Sequence, residues 1–130
     1  MRSTCDILKE SKNIAVVGIS NKPGRDSGRI AEYLKEAGYN VVGVNPLQKE
    51  FPGIKVYSSL KEVPFKIDIV DVFRRSEAIP EIIPDVLEVK PGVLWLQLGI
   101  RNDEAVSPVI DAGIETIQDK CILVEHRFCR

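Results

Sequence analysis

The chain has 130 residues, with 18 basic and 19 acidic side chains and a net charge of −1, so it lacks the positive excess that nucleic-acid or membrane-surface binding requires. Hydrophobic residues at 44% and charged residues at 28% are ordinary globular values, which excludes wholesale disorder. A chain of this size buries roughly two thirds of its unfolded surface, enough for a core without metal or disulfides.

In chain order, the opening MRSTCDILKESK lacks the apolar centre of a secretory signal and no apolar run is long enough to cross a bilayer, so a cytoplasmic location is expected. Residues 1–12 read as a leading helix, formed from Thr4 to Lys12, of one domain spanning 1–130. Asn13 to Ile19 (NIAVVGI) is a short, nearly continuous apolar run of the kind that makes a parallel strand covered on both faces. Ile30, Ala31, Leu34 and Ala37 then recur at helical spacing, with Ser27 as the N-cap and Gly38 as the stop.

Asn40 to Val44 reads as the second strand, Ile67 to Phe73 as the third and Val93 to Leu98 as the fourth. After Ser76, the residues Ile79, Ile82, Ile83, Val86 and Leu87 mark one helix face, whose start Pro84 kinks or delays. Ala105, Val106, Val109 and Ile110 mark another, closed by Gly113 and carrying Pro108 inside it. Glu115 to Ile117 is a weak fifth strand, and Lys120 to Arg130 reads as helix or strand, with a helix capped by Asp119 preferred. Alternation of strands and helices predicts an α/β fold, a Rossmann-like doubly wound parallel sheet of about five strands. Ligands of such sheets sit beyond the carboxyl ends of the strands.

Few residues offer covalent or metal chemistry. Cys5, Cys121 and Cys129 are an odd number without Cys-x-x-Cys spacing, which predicts no disulfide framework, and four zinc ligands are lacking. His126, the only histidine, stands between Glu125 and Arg127 and reads as a surface residue, although counting alone leaves a Ser-His-Asp triad open.

The strand ends are richer. Gly18-Ile19-Ser20-Asn21-Lys22-Pro23-Gly24-Arg25-Asp26-Ser27-Gly28 combines turn-forming glycines, two cations and two hydroxyls ahead of a helix N-terminus, the chemistry that a pyrophosphate needs. It is longer than the usual connection of about two to six residues. The dinucleotide fingerprint is absent, since Ser20 stands where its second glycine belongs, and the second strand ends in Val44-Asn45-Pro46 without the carboxylate that holds ribose hydroxyls. A nicotinamide cofactor is therefore the second choice. Asn45-Pro46 opens a turn, and Lys49 beyond it either faces a phosphate or is a solvated surface charge.

The third strand ends in Phe73-Arg74-Arg75. These arginines either grip phosphate or pair with Asp68, Asp71 or Glu77, and the two carboxyls within the strand read as partnered. Where the fourth strand closes, Gln97 either bonds an amide or base edge or satisfies loop backbone, and Gly99 lets a ligand approach the main chain. Cys121, near the start of the last helix, is either a buried inert thiol or a reactive one.

Together the segments VVGISNKPGRDSGRIAEYLKEAGYNVVGVNP, YSSLKEVP, IDIVDVFRRSE, VLWLQLGI and DKCILVEHR resemble the small CoA-binding proteins, a family similar to the N-terminal nucleotide-binding domain of the succinyl-CoA synthetase α subunit. The resemblance runs from Ile14 to Arg127 and implies coenzyme A held across the switch point of a Rossmann-like sheet. It implies that Gly18, Ser20, Lys22, Arg25, Ser27 and Gly28 form the phosphate loop and that Asn45, Pro46 and Lys49 flank the adenosine end. Phe73, Arg74, Arg75, Gln97 and Gly99 would line the groove. CoA carries a ribose 3′-phosphate, so a cationic rim without a ribose-binding carboxylate suits it better than NAD. The synthetases' phosphohistidine domain has no counterpart in this sequence, and His126 falls in no matching motif, so the expectation is a binder of CoA or acyl-CoA without ligase chemistry. An NAD(P)-dependent oxidoreductase or a thiol enzyme acting through Cys121 is the alternative.

Overall fold

The computed structural model describes residues 2–48 and 50–130. Lys49, a candidate ligand residue, lies outside the described residues. The strands are β1 (Asn13–Val17), β2 (Asn40–Val44), β3 (Val56–Tyr57), β4 (Ile69–Val72), β5 (Val93–Leu96) and β6 (Glu115–Ile117). The helices are α1 (Thr4–Glu10), α2 (Ser27–Glu36), α3 (Ile83–Val89), α4 (Asp103–Asp111) and α5 (Ile122–Cys129). Among the described residues the sheet has six parallel strands in the order β3-β2-β1-β4-β5-β6, the doubly wound order. The expected five strands are all present. The sixth, β3, has only two residues, too few to leave a period in the sequence.

Alternate residues of the strands feed two cores because successive side chains point to opposite faces. On one face Ile14, Val16, Ile69, Val93 and Trp95 pack against Ile7 and Leu8 of α1, Ile30, Ala31 and Leu34 of α2, and Ile122 and Leu123 of α5. On the other, Ala15, Val17, Val70, Val72, Leu94 and Leu96 pack against Ile83 and Val86 of α3 and Val106 and Val109 of α4. Gly43 of β2 is needed for this packing, since a Cβ there would lie 2.6 Å from the Ile19 side chain. As Pro84 predicts, α3 starts late: a 3-10 segment, Ser76–Glu81, fills the space before it.

Five expectations are corrected. Asp26, not Ser27, occupies the N-cap position of α2, and the Ser27 hydroxyl instead accepts the Ser20 N–H at 2.9 Å. Cys121, not Asp119, occupies that position of α5, because Asp119 adopts a left-handed backbone (φ 60°) and its Oδ1 accepts the Gly99 N–H. Cys5 and Cys129 form a disulfide: α1 and α5 lie side by side, bringing their Cα atoms to 5.3 Å. His126 is half-buried rather than a surface residue, its Nδ1 2.7 Å from the Tyr33 hydroxyl and its ring edge-on to Tyr33 and Tyr39. Burial, with the nearby Arg130 charge, holds its pKa below the ordinary value.

The fifth correction concerns the strand carboxyls. Asp68 is partnered, its Oδ2 accepting the Lys12 and Asn13 N–H groups at 2.9 Å. Asp71 is not. It lies level with Val16 and Trp95 in the sheet, fully buried, and neither oxygen has a hydrogen-bond partner among the described residues. Burial without a compensating partner pushes its carboxyl well above the ordinary range.

Candidate functional site

The chain runs outward from β1 to β3 and returns to β4 beside β1, so the strand order reverses between Gly18 and Phe73. The two residues are in close contact there. Gly18 has φ +87°, and a Cβ on it would lie 2.6 Å from the Phe73 carbonyl oxygen, so only glycine fits. A groove opens above this point as two hollows that share Gly18, Arg25, Phe73, Arg74 and Arg75.

The first hollow, about 950 Å³, lies over β1 and β2. Ser20, Lys22, Arg25, Asn45, Pro46 and Gln48 form one side, Ser58, Ser59 and Leu60 another, and Glu81, Ile82 and Asp85 a third. The second, about 580 Å³, lies over β4 and β5 and is lined by Ser27, Ile30, Gln97, Gly99, Ile100 and Cys121, among others. Thus all the expected residues described here line the groove except Gly28. That residue lies beneath the loop, where a Cβ would come within 2.6 Å of the Ser20 carbonyl and 2.8 Å of the Phe51 ring.

The loop between β1 and α2 holds its own shape. The Gly18 N–H donates to the Val44 carbonyl, the Ser20 N–H to Ser27 Oγ, the Lys22 N–H to Ser20 Oγ at 3.1 Å and the Arg25 N–H to the Lys22 carbonyl. Asn45 ties the next loop to it: its Nδ2 donates to the Ile19 carbonyl at 2.9 Å while its Oδ1 accepts the Leu47 and Gln48 N–H groups. These serines and Asn45 therefore position the backbone. The electrostatic attraction for an anion comes from elsewhere. The first turn of α2 contains no acidic residue and its start has no side-chain cap, so no capping side chain satisfies its N–H groups. Lys22 and Arg25 stand beside it and enter no ion pair among the described residues.

The arginines after β4 differ. Arg75 pairs with Glu77 at 3.4 Å, one of the partners expected for this doublet, whereas Arg74 pairs at 3.0 Å with Glu81, which was not among them. At the end of β5, Gln97 is 5% exposed and its Oε1 accepts the Ile122 N–H at 3.0 Å, holding the first turn of α5. Gly99 has φ +85° beside it. No group of three or more His, Cys, Asp or Glu side chains is placed to hold a metal among the described residues.

Sequence reasoning missed the wall formed by Ser58, Ser59 and Leu60. The signal existed, since these residues directly follow a strand, but that strand is β3 and went unassigned. The wall from Glu81 to Asp85 depends on how the 3-10 segment and α3 pack beside the strand ends, which no spacing encodes.

An open, doubly wound parallel sheet with a groove over its switch point defines a Rossmann-like α/β domain. Within that class the chain is a member of the CoA binding domain family, whose pattern matches residues 12–127. It is 45% identical over 121 residues to the uncharacterized protein YneT of Bacillus subtilis (strain 168), covering 93% of this chain and 90% of that one. A solved Thermus thermophilus protein, cell-free ID.343, superposes with a TM-score of 0.91 at 38% identity, over 96% of this chain and 95% of the other. A stretch of 65 residues is 37% identical to the alpha subunit of acetate–CoA ligase (ADP-forming) II of Pyrococcus furiosus, covering 49% of this chain and 14% of that subunit.

Proposed function

We propose that the groove binds coenzyme A or acyl-CoA, with the phosphorylated nucleotide half in the first hollow and the pantetheine arm running past Phe73 into the second. The observation that carries this reading is the pair of unneutralised cations, Lys22 and Arg25, beside the uncapped start of α2 in a chain of the CoA binding domain family. The absence of a carboxylate at the end of β2, where Asn45 and Pro46 stand, supports CoA over NAD. The likeness to the ligase covers 14% of its subunit, so the ligase's activity is not carried over to this chain. No nucleic acid or membrane is a proposed partner. A cytoplasmic setting belongs to the proposal, and the Cys5–Cys129 disulfide is the observation that weighs against it, since cytosolic redox poise keeps most thiols free.

Isothermal titration tests the reading. CoA is expected to bind with an affinity that falls as salt rises, and more tightly than 3′-dephospho-CoA. Equal affinity for the two would remove the ribose-phosphate argument. Binding of NADH without binding of CoA would overturn the assignment.

A further inference from the structure

Gln97 is buried, and the direction of its amide is fixed by chemistry. The Ile122 N–H can only donate, so the atom it meets at 3.0 Å must be the oxygen Oε1. That leaves Nε2, a pure donor, on the other side of the amide group. Nε2 has no hydrogen-bond partner among the described residues, yet it is not among the side-chain atoms sealed from solvent without a partner, which are the two oxygens of Asp71. The opening available to it is the second hollow, whose wall Gln97 forms with Gly99 and Cys121. A side chain 5% exposed, locked at one end and unsatisfied at the other, is a preset donor awaiting an acceptor.

We infer that Gln97 is a specificity-determining residue of the second hollow, whose Nε2–H donates to a carbonyl oxygen on the arm of the bound ligand. This rests on the CoA reading above and adds a chemical demand to it. The acceptor is a neutral carbonyl: Ile30, Phe73, Leu98 and Ile100 wall the second hollow with Asp26 and Glu77, and its cations, Arg25, Arg74 and Arg75, also line the first hollow, where the phosphates are proposed, the last two already paired with acids. Two groups of that chemistry exist on an acyl carrier: the amides of the arm and the carbonyl of a thioester.

The informative variant is Gln97→Glu, studied at pH 8. It keeps an oxygen for the Ile122 N–H, so the bond that holds α5 survives the substitution. What it removes, once ionised, is the donor. Titrations with CoA, acetyl-CoA and adenosine 3′,5′-bisphosphate, which lacks the arm, separate the outcomes. About a tenfold loss of affinity for the arm-bearing ligands, with the bisphosphate unchanged, is expected for one lost hydrogen bond facing an unpaired acceptor. Equal loss for CoA and acetyl-CoA assigns the acceptor to an arm amide, and a loss confined to acetyl-CoA assigns it to the thioester. Wild-type affinity for both arm-bearing ligands in Q97E overturns the inference and leaves the CoA reading intact. A wild-type protein that binds neither CoA nor acetyl-CoA overturns both. If Q97E loses the bisphosphate as well, the effect is structural and the inference fails; thermal unfolding of Q97E alongside wild type shows whether α5 has loosened.

Discussion

The two cationic edges of the groove are built from the same residue types and differ in their company. Lys22 and Arg25, on the loop after β1, enter no ion pair among the described residues. Arg74 and Arg75, after β4, are tied to Glu81 and Glu77. A cation that already has a carboxylate must give it up, or share it, before it serves a phosphate, so the apparent excess of positive charge at β4 is smaller than a count of arginines implies. The comparison teaches that an anion site is defined by uncompensated charge. On that ground the β1 loop is the anchor and the β4 edge a secondary wall.

The strongest test of this contrast is Arg25→Ala. A charge-assisted hydrogen bond to phosphate is worth about 1.5–3 kcal/mol, so CoA affinity should fall by about tenfold to a hundredfold with the unfolding midpoint nearly unchanged. Titration calorimetry measures it. Wild-type affinity in R25A would place the anion elsewhere.

A smaller effect is expected at the β4 edge. Arg74 and Glu81 form a partly exposed pair, whose net worth is about 1 kcal/mol or less. Arg74→Ala should weaken CoA by about two- to fivefold, and Glu81→Gln, which frees the guanidinium, should tighten it by about two- to threefold. Should R74A cost as much as R25A, the distinction between free and paired cations fails. Should E81Q weaken binding, Glu81 itself acts toward the ligand.

How much of this was legible in the sequence follows from how local each feature is. β1, β2, β4 and β5 announce themselves because a strand buried on both faces must be a continuous run of Val, Ile and Leu. The phosphate-type loop is visible because its glycines, cations and hydroxyls are contiguous. Features that depend on remote partners were not legible. Glu81, seven residues from Arg74, reaches it only through the course of the 3-10 segment between them, and the Cys5–Cys129 bond depends on α1 and α5 meeting across a separation of 124 residues. Gln97 shows the boundary most clearly. Its position after a strand marked it as a groove residue, but only the Ile122 N–H determines which of its two polar atoms is left for a ligand.

β4 also carries the opposite charge type in the opposite setting, and this separates site from scaffold. Phe73 and Arg74 reach the groove, whereas Asp71, just before them, lines neither hollow and is fully buried with its oxygens unpartnered among the described residues. Its carboxyl in the native state is pushed well above 3.8 by burial, while in the unfolded chain it ionises near that value. Below 3.8 both states hold the proton and the group makes no difference. As pH rises above that, the unfolded chain releases a proton that the native chain keeps, so stability falls, by up to about 1.4 kcal/mol per pH unit, until the native carboxyl also ionises. Asp71→Asn removes this slope. The stability of D71N relative to wild type, read from urea unfolding between about pH 5 and pH 8, should therefore increase with pH, while CoA affinity at fixed pH stays within about twofold. A difference that is constant across the range would mean that the native carboxyl is ionised and paired after all, and a large change in affinity would mean that β4 carries charge to the ligand from its interior as well as from its edge.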